Sequence, residues 1–523
     1  MNLVDKVVNY FNPAAGVKRA AHREARSIIT NGYSQHGAST GKNSTRGWQV
    51  FSGSAKEDID AHNKTLRERS RDLYMSGGIA TGAIKTLNTN VVGSGLRLNP
   101  QIDYEFLGMT LEQAGEWKRN VKREFDLWAD SINCDATRVN NFYELQQLAF
   151  LSQLMSGDAF VTLPVKKRVG SPYELCIQLI EADRCSTPTD KWGSDDIVNG
   201  VETDEYGEVV AFHFAKHHPG SAMFMLTNQW TRMERFGSIT GRPNVLHLME
   251  MERPEQRRGV PMLTPVIEQL KQLTRYSDAE LMAAVINGMY AIFIESENES
   301  VPGSDLGGID QSQQQDLGEE YDNDIQIGNG AVNFLNPGEK MAETKVGRPN
   351  TAFDGFVTSI CRQVGAALEI PYEILLKHFT SSYSASRAAL LEAWKMYRKK
   401  RDGLATDFCQ PVFEEWLAEA VAKGRVKAPG FFSDPSIRKA YSRAEWNGPS
   451  QGQLNPVQEV RASIMKVENG FSTREKETVE LSGGSYDSNH RTLVAEERAR
   501  RKEGLSKPLD DEARDLEGGE EIK

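Results

Sequence analysis

The spacing of apolar and polar positions divides the chain into a helical opening, a stretch of strands and a second helical half. Apolar residues recur at helical spacing over Asp58–Leu73, Ile79–Val91, Leu111–Ala129 and Phe142–Met155, which predicts a helix in each. In the third, Trp117, Val121, Phe125 and Trp128 fall at i, i+4, i+8 and i+11, a stripe suited to burial in a core. The period then changes to two. Ala159–Leu163 and Leu175–Ile180 predict strands, and Val198–Thr203 with Glu208–Phe214 predicts a hairpin turned at Asp204-Glu205-Tyr206-Gly207. A glycine-bearing segment, Val92-Gly93-Ser94-Gly95-Leu96, reads as a turn after the second helix.

The second half opens with a long helix capped by Thr264 and begun by Pro265. Val266, Leu270, Leu273, Leu281, Ala284 and Val285 hold its apolar side as far as Asn287-Gly288. Short strands at Tyr290–Glu295 and Val332–Leu335 bracket a polar stretch, Ser296–Gly330. A helix over Phe353–Leu368 stops at Ile370-Pro371-Tyr372, because the residue before a proline is pushed out of the helical region. A hydroxyl-rich loop, His378–Ser386, then feeds a helix from Arg387, with Ser386 as its N-cap. Near the end, Asn455-Pro456 open a helix with Val457, Val460 and Ile464 turned inward, and Ser472-Thr473-Arg474-Glu475 reads as a capping box for the next. The fold class is α+β. Residues 1–55 and the charged segment from Gly504 are apolar-poor and are expected to lack a packed structure.

Composition narrows the function classes. A length of 523 residues allows two to four ordinary domains, and 39% hydrophobic with 26% charged residues is an ordinary soluble balance. No apolar run of about eighteen residues is present to span a bilayer, and the opening Met1–Lys6 lacks the apolar core of a secretory signal, so no membrane partner is expected. Five dispersed cysteines, an odd number without a Cys-x-x-Cys pair, favour reduced thiols in a cytosolic setting. A net charge of -11 excludes a chain that grips nucleic acid with its whole surface. Charge alone does not separate simple solubility from a surface that lets a phosphate polymer slide past.

Candidate catalytic chemistry is sparse. Gly37-Ala38-Ser39-Thr40-Gly41-Lys42 has three residues between its glycines where a phosphate-binding loop needs four, and Asn43 follows the lysine in place of Ser or Thr. His213, His217 and His218 lie close together without an obvious carboxylate at ligand spacing, and read as a solvated strand end. The carboxylates of 296–330 read as an exposed loop, since a two-metal site needs rigid supports and neighbouring bases. No catalytic residue, cofactor site or metal site is assigned. What remains is a loop in which Thr380, Ser381, Ser382, Tyr383, Ser384 and Ser386 offer hydroxyls to phosphate, with Lys377 and His378 adding limited positive charge. The basic cluster Lys395, Arg398, Lys399, Lys400 and Arg401 fits a DNA contact, an acidic surface of a neighbouring subunit, or a solvated helix end.

The order of these parts resembles portal proteins of tailed bacteriophages, the lambda-type branch above all. The resemblance is carried by Asn90-Val91-Val92-Gly93-Ser94-Gly95-Leu96, by Arg258-Gly259-Val260-Pro261 before the long helix, and by Ile370-Pro371-Tyr372-Glu373. It continues in Tyr383-Ser384-Ala385-Ser386-Arg387 through Trp394, in Trp446-Asn447-Gly448-Pro449 and in Asn455-Pro456. It implies a closed ring, typically of twelve copies, at one capsid vertex, with residues 1–55 as an N-terminal arm and 56–259 as the wing. Residues 260–289 and 351–371 would be the stem helices, 290–350 the clip, 372–386 the channel loop, 387–480 the long helix and crown, and 481–523 the polar tail. The implied partners are double-stranded DNA, held without sequence preference, the terminase large subunit, a head-completion or adaptor protein, and the major capsid protein with its scaffold. The implied setting is the virion, after assembly in the host cytoplasm.

Two other readings stay open on the residues alone. One is a nucleic-acid hydrolase with residues 372–386 as a lid, and the other a capsid scaffold without a channel.

Overall fold

The computed structural model describes residues 50–227, 229–288, 292–294, 332–334, 352–379, 382–453 and 455–505, with short stretches between 10 and 48. The chain divides into two units, Met1–Asp58 and Ile59–Lys523. In the first, the amides of Thr45 and Arg46 donate to the Lys42 carbonyl and form a local turn. Gly37, Thr40 and Gly41 of the Gly37–Lys42 stretch lie outside the described residues.

The second unit opens on two helices, α1 (Asn63–Ser76) and α2 (Gly78–Val91), divided at the extended Gly77. Strand β1 (Arg97–Pro100) follows, and then α3 (Leu111–Ala129) and α4 (Phe142–Ser156). Both helices start on capping boxes, Thr110 with Gln113 and Asn141 with Glu144, each satisfying two amides that a helix start leaves unbonded. Gly157 ends α4 at a φ of 87°, a conformation open to glycine at little cost.

Seven strands come next: β2 (Asp158–Thr162), β3 (Gln178–Ile180), β4 (Ile197–Val198), β5 (Val201–Thr203), β6 (Val209–Ala215), β7 (Trp230–Glu234) and β8 (Val245–Met249), with the short helix α5 (Ala222–Thr227) before β7. They form antiparallel sheets ordered β3-β2-β8 and β4-β5-β6-β7. Phe160 of β2 meets Phe212 and Phe214 of β6 at 5.3 Å in each case, which joins the two sheets through a small aromatic core. The hairpin at Asp204 forms as expected, its Oδ1 accepting from the amides of Tyr206 and Glu208. The single strand expected over Val198–Thr203 is instead divided. Asn199 and Gly200 take φ of 49° and 81° and turn β4 back on β5, as an Asn-Gly pair favours.

The second half continues with α6 (Ile267–Gly288), the parallel pair β9 (Ile292–Ile294) and β10 (Val332–Phe334), then α7 (Phe353–Ala367), α8 (Tyr372–Leu375) and α9 (Tyr383–Leu404). A wide helical turn, Ala405–Cys409, leads α9 into α10 (Gln410–Ala422). Then come α11 (Pro435–Ser442), β11 (Ala444–Asn447), α12 (Pro456–Glu468), α13 (Arg474–Ser482) and α14 (Tyr486–Lys502). Thr264 does not cap α6. Thr264–Val266 forms a tight turn of its own, and the threonine hydroxyl is buried without a hydrogen bond.

The main core draws on both halves of the sequence. Phe125 of α3 lies edge-on to Phe142 of α4 at 5.6 Å and to Phe413 and Trp416 of α10 at 5.7 and 5.0 Å. β11 pairs antiparallel with β1, Leu98 opposite Trp446. The stripe read from α3 is therefore buried as expected, against partners some 290 positions away such as Trp416. Among the described residues, no helix is long and apolar enough to cross a membrane.

Candidate functional site

The segment singled out by the sequence is held by two anchors. The first lies where the strands hand over to α6. Gly157-Asp158 and Arg258-Gly259 cross so closely that a Cβ on Gly157 would stand 2.4 Å from the Gly259 carbonyl oxygen. Arg258, fully buried, donates from Nε and Nη2 to the Asp158 carboxylate and from Nη1 and Nη2 to the carbonyls of Cys185, Asn199 and Ala182. Burial alone would raise the Asp158 carboxyl; the Arg258 charge and the hydrogen bonds from His247 and Arg258 hold it well below the usual range. The Asn63 side chain of α1 donates to the Gly259 carbonyl at 2.8 Å. The root of α6 is thus tied to the sheets and to the first helix.

From that root α6 runs alongside α7. Tyr276 stacks on Phe353 at 5.4 Å and meets Phe356 edge-on at 4.9 Å. α7 stops at Leu368, and Glu369 reverses the chain at a φ of 56°. The turn is tight because Gly365 lies under it: a Cβ there would stand 2.5 Å from the Ile370 carbonyl oxygen. α8 buries Ile374 and Leu375, and the turn after it passes through Lys377, whose φ of 54° is unusual for a residue with a side chain.

Lys377, His378, Ser382 and Ser384 are exposed and Ser386 is half-buried. Thr380, Ser381 and the side chain of Tyr383 lie outside the described residues. The helix does not begin at Arg387 with Ser386 as its cap. It begins at Tyr383, because the Ser382 hydroxyl accepts from the Ala385 amide at 3.4 Å. From Ser384 to Glu392 no described side chain of α9 is buried, whereas Ala393, Trp394, Met396 and Tyr397 are. The first part of α9 is packed only shallowly, with Leu390 against the core and Arg387 3.9 Å from Glu459.

The basic cluster on α9 separates into different roles. Lys395 pairs with Glu392 at 2.7 Å, Arg398 with Glu480 at 3.2 Å, and Lys399 and Lys400 with Glu250 at 3.5 and 3.0 Å. Arg401 turns inward and forms the second anchor. Its Nε donates to the Val91 carbonyl at 3.0 Å and its Nη2 to those of Asn90 and Pro449 at 2.9 and 3.0 Å, with the guanidinium 5.3 Å from the Trp394 ring. Burial draws its pKa down to about 10, so it stays charged at neutral pH. Gly93 and Gly448 make room: a Cβ on the first would meet Pro449 at 2.4 Å, and on the second Arg401 at 2.6 Å. Sequence spacing put Arg401 with its exposed neighbours. The glycines at 93 and 448 were the only signal of a buried partner.

The histidines are not one site. His213 is buried, its Nε2 2.8 Å from Glu202 Oε2, and it belongs to the sheet rather than to a solvated strand end. The hydrogen bond from Arg232 leads in lowering the Glu202 carboxyl to about 2, with His213 adding to it against burial. His218 does meet carboxylates that spacing did not reveal: its Nε2 lies 3.9 Å from Glu181 and 3.7 Å from Asp183. A metal ion is poorly suited to that group. Arg71 already lies 2.5 Å from Asp183 and 3.7 Å from Glu181, and Arg67 adds a second guanidinium 3.7 Å from Asp183. All five cysteines are buried and free of disulfides. The acidic stretch 296–330 lies outside the described residues.

Residues 41–401 match the family described as phage portal protein, lambda family, and the chain belongs to that family. The chain is 27% identical to the portal protein of Escherichia phage N15, over 88% of its own length and 89% of the relative's. It is 26% identical to portal protein B of Escherichia phage lambda, over 90% and 91%. A chain from the virion of a native gene transfer agent particle superposes with a TM-score of 0.37 at 12% identity, over 80% of this chain and 93% of that one. That last likeness is too slight to bear on function.

Proposed function

We propose that the chain is a structural, non-enzymatic subunit of a closed ring, of about twelve copies as the family resemblance implies, through which double-stranded DNA enters and leaves a capsid. Membership in the portal family makes the chain a phage head-tail connector. The observation that carries the finer reading is the shallow burial of α9 from Ser384 to Glu392, next to a turn that leaves Lys377 and His378 exposed. In a ring, that segment would meet the duplex through hydroxyls and a little positive charge. Such contacts touch phosphate without strong capture or sequence readout.

In this reading α6 and α7 are the stem around the channel, and residues 290–350 are the clip that receives the terminase large subunit and later an adaptor protein. The wing and crown would face the major capsid protein and its scaffold. Assembly takes place in the host cytoplasm and the finished ring resides in the virion. Lys395, Lys399 and Lys400 would line or flank the lumen with much of their charge already balanced, and Arg401 would serve assembly only through the rigidity of α9.

The test is native mass spectrometry with negative-stain imaging of the purified protein. A closed ring with an axial hole is expected. A discrete monomer or dimer, under conditions that assemble the lambda relative, overturns the reading.

A further inference from the structure

A groove of about 720 Å³ lies between α3, the β1–β11 ribbon and the starts of α13 and α14. Its charges do not cancel. The carboxylates lining it are engaged: Asp487 by Arg491 at 2.7 Å, Glu475 by the Tyr486 amide at 3.1 Å, Glu445 by the Gln101 side chain at 3.0 Å, and Asp126 by the Tyr143 hydroxyl at 3.4 Å. Arg119, Lys122 and Lys476 line the same groove and form no ion pair among the described residues. Arg119 and Lys122 are three apart on α3 and share a face. Across from them α13 and α14 open on Thr473 and Ser485, and Ser485 makes no side-chain cap, so two positive helix ends add to the same field.

We propose that this groove docks the chain's own acidic segment, Asp510–Glu521. Between those residues the sequence places seven carboxylates and one base, Arg514, a complement to the surplus cations of the groove. The connection reaches. α14 starts on the groove rim and its 17 residues carry the chain about 25 Å away. The eight residues from Glu503 to Asp510 can span about 27 Å when extended, enough to return. Tethering raises the local concentration of the segment to the millimolar range, so weak surface ion pairs suffice to hold it. Its consequence is protective: acidic residues over Arg119, Lys122 and Lys476 deny them to nucleic acid, and any contact with DNA is left to other surfaces. The proposal does not depend on ring formation.

The test uses the intact chain and zero-length coupling of carboxylates to amines, read by peptide mass spectrometry. Lys122 and Lys476 are expected to link to carboxylates of Asp510–Glu521. The yield should fall about tenfold between low and roughly 0.5 M salt, where the screening length drops to a few Å. Arg119→Glu, which keeps both amines and lies on an exposed face, should lower the yield similarly with the melting temperature unchanged. In a mixture of isotopically light and heavy chains, the links should stay within one chain. Absence of the links, indifference to Arg119→Glu, or links only between chains overturns the proposal. Binding of a labelled DNA duplex to the intact chain through Arg119 also overturns it, and assigns the groove to nucleic acid.

Discussion

The guanidinium of Arg258 lies against the carboxylate of Asp158, Nη2 3.1 Å from Oδ1 and Nε 2.5 Å from Oδ2, with both residues fully buried. The pair joins β2, the central strand of the three-stranded sheet, to the segment that leads into α6. Every nitrogen of the guanidinium is engaged, and Phe160 lies under it at 5.1 Å. A buried ion pair is weak evidence for stability in itself, but removal of one partner leaves an uncompensated charge in the interior.

Arg258→Met should therefore destabilise the chain by roughly 3–5 kcal/mol, and Arg258→Lys by a large part of that, because an ammonium cannot serve the carboxylate and the carbonyls together. The sign of the pH effect follows from the depressed Asp158. Its contribution is present above the unfolded carboxyl value near 4 and is lost as pH falls through the lower folded value. Chemical denaturation of the wild type and of Arg258→Met at neutral and acid pH checks both statements. Equal midpoints for the two proteins at neutral pH would count against the anchor.

The basic cluster on α9 should respond unevenly. Arg401→Ala removes donors from three part-buried carbonyls and a cation from the Trp394 face, and should cost on the order of 2 kcal/mol. Lys399→Gln with Lys400→Gln breaks only surface pairs to the half-exposed Glu250 and should cost less than about 1 kcal/mol. Thermal melting separates the two. A larger loss in the lysine double variant would reverse the assignment.

Asp60 behaves in the opposite sense to Asp158. Burial pushes its carboxyl up to about 6, with Arg258 and Arg257 drawing it partly back. A raised folded value means the folded state holds the proton more tightly. The penalty is absent below the unfolded value near 4, grows as pH rises from there and is complete above about 6. Asp60→Asn should accordingly raise stability at pH 8 by on the order of 1 kcal/mol and leave it nearly unchanged at pH 4. Melting curves across that range give the answer, and a variant destabilised at pH 8 would contradict it.

Periodicity carried the local elements well, since the stripe of Trp117, Val121, Phe125 and Trp128 is buried as its spacing implies. What spacing cannot carry is the partner. Phe125 meets Phe413 and Trp416 through chain reversals that leave no local trace, and Arg401 looks like its exposed neighbours until Asn90, Val91 and Pro449 close around it. The inward stripe expected of α12 is turned out instead: Val457, Val460 and Ile464 are 64%, 40% and 50% exposed, while Ser463 is buried. Periodicity finds a stripe without saying which face meets the body. The capping box expected over Ser472–Glu475 does not form: the helix is capped by Thr473, which accepts from the Lys476 amide, and Glu475 is turned to the Tyr486 amide. For the hydroxyl-rich segment before α9, composition marked the run of serines, but the helix start depended on which serine reaches a free amide, and Ser382 does.

Lys377 offers a way to separate the proposed DNA contact from the fold. Its φ of 54° is costly for a side chain and free for glycine, so Lys377→Gly should leave stability unchanged or raise it by up to about 1 kcal/mol. The same change removes a cation from the exposed turn, as His378→Ala removes a ring beside it. If the turn meets the duplex, Lys377→Gly with His378→Ala should assemble as the wild type does and yet package or retain DNA less well in an assembly reaction. A more stable protein with a poorer packaging yield cannot be explained by misfolding, which makes this double variant more telling than a deletion across Ser382–Ser386, where the helix cap would be lost as well. Unchanged packaging would move the proposed contact to another surface, the exposed Ser384 at the start of α9 being next to test.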